Sequence, residues 1–234
     1  MPQPQPISLA SIDEALRIHA ENKWLDFYPD TGPLRRELYP KHVNCFAAGK
    51  THRERMFIAA NRIGKTEGVG AYEIRGHLTG VHPSWWPGRV FDRPTKVWCA
   101  GESAKKVREV VQEKLFGPVT RLGTGMIPAD LIVDKKMKSG VPDAIDTAWI
   151  RHTSGEVSHL TFKSYEQGRE GFDGDEVDVV WLDEEPSLSI YTECLLRTMT
   201  CDGIVLLTFT PLKGISELVK AFLPGGKVSG EANS

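Results

Sequence analysis

The sequence lacks the features that assign a chain to several large classes of protein. Its four cysteines form no C-x-x-C pair and no zinc spacing, so they predict reduced thiols and no metal site. No apolar run approaches the ~20 residues of a membrane span, and the proline-rich start has neither a basic nor an apolar region. These absences favour a cytosolic protein that is neither secreted nor membrane-bound.

The chain also lacks a large excess of charge of either sign. Lysine and arginine number 29 against 31 aspartate and glutamate residues, which gives a net charge of −2. This balance argues against a chain saturated with phosphate contacts, although it leaves room for a local basic patch. The length of 234 residues fits one large α/β domain better than two small ones.

Residues 56–67 (MFIAANRIGKTE) indicate a short apolar strand that runs into a phosphate-binding loop. A polyphosphate site needs converging backbone N–H groups at a helix N-terminus, a lysine, and a hydroxyl for Mg²⁺. We expect Lys65 to reach the β- and γ-phosphates and Thr66 to hold Mg²⁺. The usual pattern has glycine where this chain has Ala59, so the backbone there must accommodate a Cβ. The nucleotide-binding residues expected from this segment are Asn61, Arg62, Ile63, Gly64, Lys65, Thr66 and Glu67.

A second motif lies at residues 177–185, where an almost wholly apolar strand stops in three carboxylates. A buried central strand behaves in this way when it reaches the edge of a sheet. In this Walker B pattern we expect Asp183 to hold Mg²⁺ together with Thr66, and Glu184 to polarise the attacking water. A solvated strand end is the alternative, but it does not explain why the same chain carries a G-K-T tripeptide.

Further patterns predict the rest of an α/β fold. Residues 95–101 predict a strand followed by a helix over 104–115, residues 146–152 and 157–164 predict a hairpin, and residues 165–174 predict a polar, glycine-rich loop. Another buried strand, 203–211, ends in Thr208 and Thr210. Because ligands of open α/β sheets lie beyond the carboxyl ends of the strands, either threonine is expected to sense the γ-phosphate.

Several aromatic residues have two interpretations each. Tyr39 or His42 would stack on the base of a nucleotide, and the alternative is that both pack or face solvent. Trp85 and Trp86 would stack on bases or cations, and their size favours packing at the domain surface.

Taken together, these segments resemble the ATPase domain of the large terminase subunit of tailed bacteriophages. The likeness rests on residues 60–66, with an arginine inside the loop, on residues 181–186 and on residues 208–211. Residues 85–88 and 167–170 extend it over roughly positions 38–215.

The resemblance implies an α/β fold, a P-loop NTPase of the additional-strand, catalytic-glutamate type, with a central, mostly parallel sheet flanked by helices. It implies an ATPase that uses ATP and Mg²⁺ to push double-stranded DNA into a procapsid, with the portal protein and the small terminase subunit as partners. The motor would work as a homo-oligomeric ring in the bacterial host cytoplasm. In this family the loop arginine, here Arg62, assists the phosphates, and the segment at 208–211 couples hydrolysis to movement. Arg169 is the candidate for an arginine finger offered to the neighbouring subunit.

The same likeness suggests a division of the chain. An N-terminal tail and helix would occupy residues 1–37, the ATPase domain residues 38–223, and the start of a linker residues 224–234. A complete family member also has a C-terminal nuclease domain, for which this chain has no room, so we expect a fragment without cleavage activity.

Two other functions compete with the packaging motor. A nucleic-acid helicase shares the same core, although it usually carries a second recA-like domain that 234 residues do not hold. A nucleotide-binding assembly module would only hold ATP, with Ala59 marking a degenerate loop. Glu184 distinguishes this last alternative, since a module that never hydrolyses ATP has no use for a carboxylate after the aspartate that holds Mg²⁺.

Overall fold

The structure is a computed structural model that describes residues 22–211 and 214–223. The part of the predicted N-terminal tail and helix that precedes residue 22 lies outside these ranges, and so does the linker predicted at 224–234. The described chain forms a central sheet with helices on both faces.

Seven strands form one mixed sheet with the order β1-β7-β6-β2-β5-β4-β3. The strands are β1 (Glu54–Ile58), β2 (Lys96–Gly101), β3 (Ile132–Met137), β4 (Ile145–Arg151), β5 (Val157–Ser164), β6 (Val179–Asp183) and β7 (Ile204–Phe209). The five neighbouring strands β1, β7, β6, β2 and β5 are all parallel. Strand β4 pairs antiparallel with both β5 and β3. The predicted fold class, a mostly parallel sheet flanked by helices, is therefore confirmed.

Five helices accompany the sheet in the described ranges. They are α1 (Pro40–Ala48), α2 (Lys65–Ala71 with π-helical turns, then Tyr72–Thr79), α3 (Ala104–Lys106, Val107–Gln112 and Glu113–Phe116 in succession), α4 (Leu188–Met199) and α5 (Glu217–Ala221). Short 3₁₀ turns occupy Lys23–Asp26, Arg36–Leu38, Val119–Arg121, Ala129–Leu131, Tyr165–Gln167 and Arg169–Phe172. No helix among them is long and apolar enough to cross a bilayer.

The two faces of the sheet bury separate hydrophobic clusters. One cluster lies under α1, α2 and α3 and includes Phe46, Ile74 and Trp181. The other lies under α4 and α5 and includes Ile190 and Leu207. Strands β6 and β7 are buried along their whole length because they contribute side chains to both clusters. This double burial explains why their sequences are continuous apolar runs.

Some local predictions need correction. The segment at 165–174 is not an irregular loop throughout, because a Ser164/Gln167 capping box starts the first of two 3₁₀ turns. Residues 22–37, assigned from the sequence to a segment outside the ATPase domain, pack into it: Tyr28 is buried in the cluster under α2. Trp85 and Trp86 pack against this same cluster, which favours the structural interpretation of both.

Candidate nucleotide-binding site

The strand order brings the predicted motifs to one edge of the sheet. Strand β7 lies between β1 and β6, and all three run parallel. The loop after β1, the acids after β6 and the threonines at the end of β7 therefore meet at neighbouring carboxyl ends, where open α/β sheets bind ligands.

The loop after β1 runs into the first turn of helix α2 at Gly64. Gly64 has φ 82°, in the left-handed region that favours glycine. Its carbonyl accepts hydrogen bonds from the N–H groups of Gly68 (2.6 Å) and Val69 (3.2 Å), which starts helix α2. Ala59 has no positive φ and its N–H donates to the carbonyl of Phe209. An alanine therefore fits at this position without strain, and the missing glycine does not distort the loop.

Lys65, the second residue of the G-K-T tripeptide, has a buried side chain that reaches across to β7. Its Nζ donates to the hydroxyl of Thr210 at 2.8 Å and lies 3.5 Å from Oδ1 of Asn61. The Thr210 hydroxyl lies 3.0 Å from both the carbonyl oxygen of Ala59 and Oδ1 of Asn61. These contacts join the lysine, the loop and the end of β7 into one polar group.

Asp183 is the centre of a second, buried hydrogen-bond network. Its Oδ1 accepts from the hydroxyl of Thr66 at 3.1 Å and from the hydroxyl of Thr208 at 2.7 Å. The indole N–H of Trp181 donates to Oγ1 of Thr208 at 2.7 Å. Because a hydroxyl has only one proton, the bond from Trp181 leaves that proton of Thr208 for the carboxylate. The network thus fixes both the rotamer and the acceptor role of Asp183.

The electrostatics of the two acids differ. Burial raises the pKa of Asp183 to about 6, a shift that the hydrogen bonds from Thr208 and Thr66 oppose and the nearby Glu184 reinforces. Glu184 is less buried and has a left-handed backbone, φ 65°, which is uncommon for a residue other than glycine. Its N–H donates to the carbonyl of Thr208 at 3.0 Å.

Two cavities flank the loop. One has a volume of about 780 Å³ and a largely apolar wall that includes Tyr39, His42, Phe57, Arg62 and Ile63. Its size suits a nucleoside, and it lies where the sequence predicts the base. Burial lowers the pKa of His42, and its Nδ1 lies 2.7 Å from the hydroxyl of Tyr28. His42 is thus a packed, neutral wall of this cavity rather than a free stacking group.

The other cavity, about 650 Å³, lies on the side of the acids. Its wall includes Asn61, Thr66, Asp183, Glu184 and Thr210. All of these carry oxygen atoms, the ligand type that Mg²⁺ prefers. Among the described residues, no group of three or more His, Cys, Asp and Glu side chains is arranged to hold a metal.

Two predicted site residues are not brought to this edge. The carboxylate of Glu67 pairs with Lys23 and with Lys114, the latter at 3.1 Å, and it lines neither cavity. Arg169 is 61% exposed, and its Nε donates to Glu193 on α4 at 2.9 Å. Arg169 therefore contacts no residue of the site within its own chain.

The structure also adds residues that the sequence did not single out. Trp181 belongs to the apolar strand, and only the pairing of β6 with β7 puts its indole N–H on Thr208. Tyr165, from the segment after β5, donates its hydroxyl to the carbonyls of Asp183 and Glu184. An aromatic residue with a polar tip at the carboxyl end of a strand was the available signal.

The chain is similar to known proteins of one family. A family described as the terminase large subunit, T4likevirus-type, N-terminal, matches residues 56–229. The large terminase subunit of Salmonella phage P22 is 35% identical over 205 residues, an alignment that covers 79% of this chain. The chain spans 41% of the length of that relative.

Solved structures of the large terminase from a thermophilic bacteriophage are also similar. One crystal form matches with a TM-score of 0.49 and 12% identity, and another, a complex with ADP, with a TM-score of 0.48 and 13% identity. Each match covers 73% of this chain and 37% of the other chain. On the strength of the family match and the P22 relative, the chain belongs to the large terminase subunits of bacteriophages, of which it carries the N-terminal, T4likevirus-type region.

Proposed function

We propose that this chain hydrolyses ATP and that hydrolysis drives double-stranded viral DNA into a procapsid. The single observation that carries the proposal is the bond between the hydroxyl of Thr66 and Oδ1 of Asp183 at 3.1 Å. It joins the helix behind the phosphate-binding loop to the end of the acidic strand, so that both motifs face one nucleotide. A bound Mg²⁺ would supply charge neutralisation between the β- and γ-phosphates.

In this proposal each residue of the edge has a defined task. The backbone amides of residues 61–66 cradle the phosphates, Lys65 binds the β- and γ-phosphates, and Thr66 and Asp183 hold the metal ion. Glu184 accepts a proton from the attacking water. Arg62 lines the apolar cavity at its border with the loop, where its guanidinium assists the phosphates.

The two threonines at the end of β7 connect the nucleotide to the rest of the sheet. Thr210 accepts from Lys65, and Thr208 donates to Asp183. A nucleotide that changes from ATP to ADP alters what Lys65 and the metal ion contact. A change at Lys65 therefore reaches the end of β7 through the hydrogen bond to Thr210, and a change at the metal ion reaches it through the bond between Asp183 and Thr208. In this way the segment at 208–211 senses the γ-phosphate and couples hydrolysis to movement.

Arg169 is proposed as the finger offered to a neighbouring subunit. To act in that role it must leave Glu193, which also accepts from Arg197 on the same helix. Burial raises the pKa of Glu193, but the hydrogen bonds from Arg197 and Arg169 outweigh it and lower that pKa. Because Arg197 stays in place, the carboxylate remains paired when Arg169 moves.

The assembled motor is a homo-oligomeric ring that works with double-stranded DNA, the portal protein and the small terminase subunit in the cytoplasm of the bacterial host. We assign the ATPase to residues 38–223, together with residues 22–37, which pack on it. A helicase-like motor and an assembly module that only holds nucleotide remain the competing functions.

The ATPase rate, measured against protein concentration with and without double-stranded DNA, tests the proposal. A finger supplied in trans makes the rate per subunit rise with concentration, and Arg169→Ala removes that rise. Arg93→Ala is a matched control, since Arg93 is a partly exposed arginine that pairs with Asp178 rather than with a residue of the site. No phosphate release at any concentration would favour the passive module instead.

A further inference from the structure

Tyr165 contacts the two acids at the end of β6 through their backbone. Its hydroxyl lies 3.0 Å from the carbonyl oxygen of Asp183 and 2.9 Å from that of Glu184. A phenol has one proton, and burial raises the pKa of Tyr165, so at neutral pH this proton is shared between the two carbonyls.

Two successive carbonyls point to the same atom only where the chain turns between them, because along a strand they alternate in direction. Here the turn is the left-handed conformation of Glu184, φ 65°. A residue other than glycine keeps that conformation only when its surroundings hold it there. On one side the N–H of Glu184 donates to Thr208, and on the other its carbonyl accepts from Tyr165.

The tyrosine is itself held by its neighbours. Strand β5 ends at Ser164, whose N–H donates to Gln167 in the capping box. The ring of Tyr165 packs against the cluster under α4, with Phe172 at a centroid distance of 6.4 Å. The hydroxyl therefore reaches the two carbonyls from a ring that is held at the end of another strand.

We propose that Tyr165 is a positioning residue for the water-activating carboxylate of Glu184. The inference rests on the proposed ATPase function and adds a residue to it. The tyrosine lines neither of the two cavities beside the loop. It holds the backbone turn from which the side chain of Glu184 extends toward the acid-side cavity, whose wall includes that glutamate.

Tyr165→Phe tests the role, because it removes one oxygen and keeps the ring. Small displacements of a catalytic group lower the rate steeply, so we expect kcat to fall about tenfold. The Kd for fluorescent ADP with Mg²⁺ should change less than about twofold, since the residues that hold the nucleotide are untouched.

Tyr191→Phe is the matched control. Tyr191 packs in the same cluster, and its hydroxyl donates to Glu54 rather than to the site. This variant should hydrolyse ATP at the parent rate.

The decisive comparison repeats Tyr165→Phe in a Glu184→Gln background. A residue that acts through Glu184 has no further effect once that carboxylate is gone, so the double variant should match Glu184→Gln alone. An equal fall in both backgrounds, or an unchanged kcat in the single variant, would overturn the role. Absence of turnover in the parent and in Tyr191→Phe would instead overturn the proposed ATPase function, and the role of Tyr165 with it.

Discussion

The hydroxyl of Thr66 lies 3.1 Å from Oδ1 of Asp183, although 117 positions separate the two residues in the chain. One follows β1 and the other ends β6, and the strand between them, β7, sends Thr208 to the same carboxylate oxygen. The site therefore forms only because the strand order places the ends of β1, β7 and β6 side by side.

This contact makes a direct prediction about the metal ion. Thr66→Val removes the hydroxyl at nearly constant shape, whereas Thr66→Ser keeps it. Mg²⁺ is expected to increase the affinity of the parent for ADP. We expect this increase to be at least tenfold smaller in the valine variant and unchanged in the serine variant. Titration of fluorescent ADP with and without Mg²⁺ measures this difference. Equal Mg²⁺ dependence in all three proteins would remove Thr66 from the metal site.

Thr208 is predicted to stabilise the fold as well as the site. Thr208→Val leaves the buried indole N–H of Trp181 without its acceptor. An unsatisfied buried donor costs about 1–3 kcal/mol. The free energy of unfolding in urea should fall by that amount. Thr208→Ser, which keeps the hydroxyl, should lose less, and a valine variant as stable as the parent would show that the bond is not needed.

Gly70 on α2 is predicted to control the position of Trp181. A Cβ at this position would lie 2.2 Å from Cε2 and Cζ2 of the indole ring, so Gly70→Ala must displace either the helix or the tryptophan. We expect a loss of about 1–3 kcal/mol in stability, together with a reduced ATPase rate, because the Trp181–Thr208–Asp183 network moves.

Gly76→Ala is the matched control in the same helix. There the added Cβ would lie 2.6 Å from the ring of His82, away from the site. It should lower the stability by a similar amount and leave the rate per folded molecule unchanged. An equal loss of rate in both variants would mean that general destabilisation, and not Trp181, is responsible.

Acid unfolding is predicted to depend on Glu73, which is buried beside Arg55 and His77. Burial raises the pKa of this carboxyl, but Arg55 and His77 outweigh it and lower the pKa from 4.5 to about 2. Between these values the unfolded chain binds more protons than the folded one, so stability rises with pH there. The contribution is fully present above about pH 4.5 and is lost as the pH falls toward about 2.

Urea unfolding between pH 2 and 7 measures this dependence. Glu73→Gln should be less stable than the parent at neutral pH, since it also leaves Arg55 without its buried partner, and its stability should change less below pH 4.5. Glu37→Gln is the control, because Glu37 pairs with Arg35 at the surface, and it should follow the parent. A parent whose stability is flat down to pH 2 would contradict the assignment.

The sequence predicted those parts of the fold that a single segment determines. Strands β6 and β7 are buried on both faces, and double burial produces the continuous apolar runs by which they were found. The acids and threonines at the ends of these strands then followed from the rule that ligands bind beyond carboxyl ends.

Features that depend on pairing between distant segments were missed. The partner of Trp181 is set by the register in which Asp183 lies opposite Thr208, and no local pattern encodes that register. Tyr165 reaches the acids from the turn after β5, a strand that β2 separates from β6. Strand β3 escaped prediction because it is an edge strand without buried positions, so it shows no apolar alternation.

Glu67 was expected to bind the nucleotide because it lies next to Thr66 in the sequence. It follows Thr66 directly, yet successive helical residues point in different directions around the axis. Thr66 faces Asp183, while Glu67 faces Lys23 and Lys114. The two positively charged lysines hold the Glu67 carboxylate in this position. Burial raises the pKa of this carboxyl, but the two lysines together lower it. We therefore assign Glu67 a structural role.

The central claim is that the lysine loop and the acids after β6 form one hydrolytic site with Glu184 as the base. Glu184→Gln tests it most directly, because the change removes the charge and keeps the shape. Phosphate release and binding of fluorescent ATP with Mg²⁺ should be measured on the same samples. We expect a Kd within about twofold of the parent and a loss of at least ~10² in phosphate release. A variant that releases phosphate as fast as the parent would contradict it.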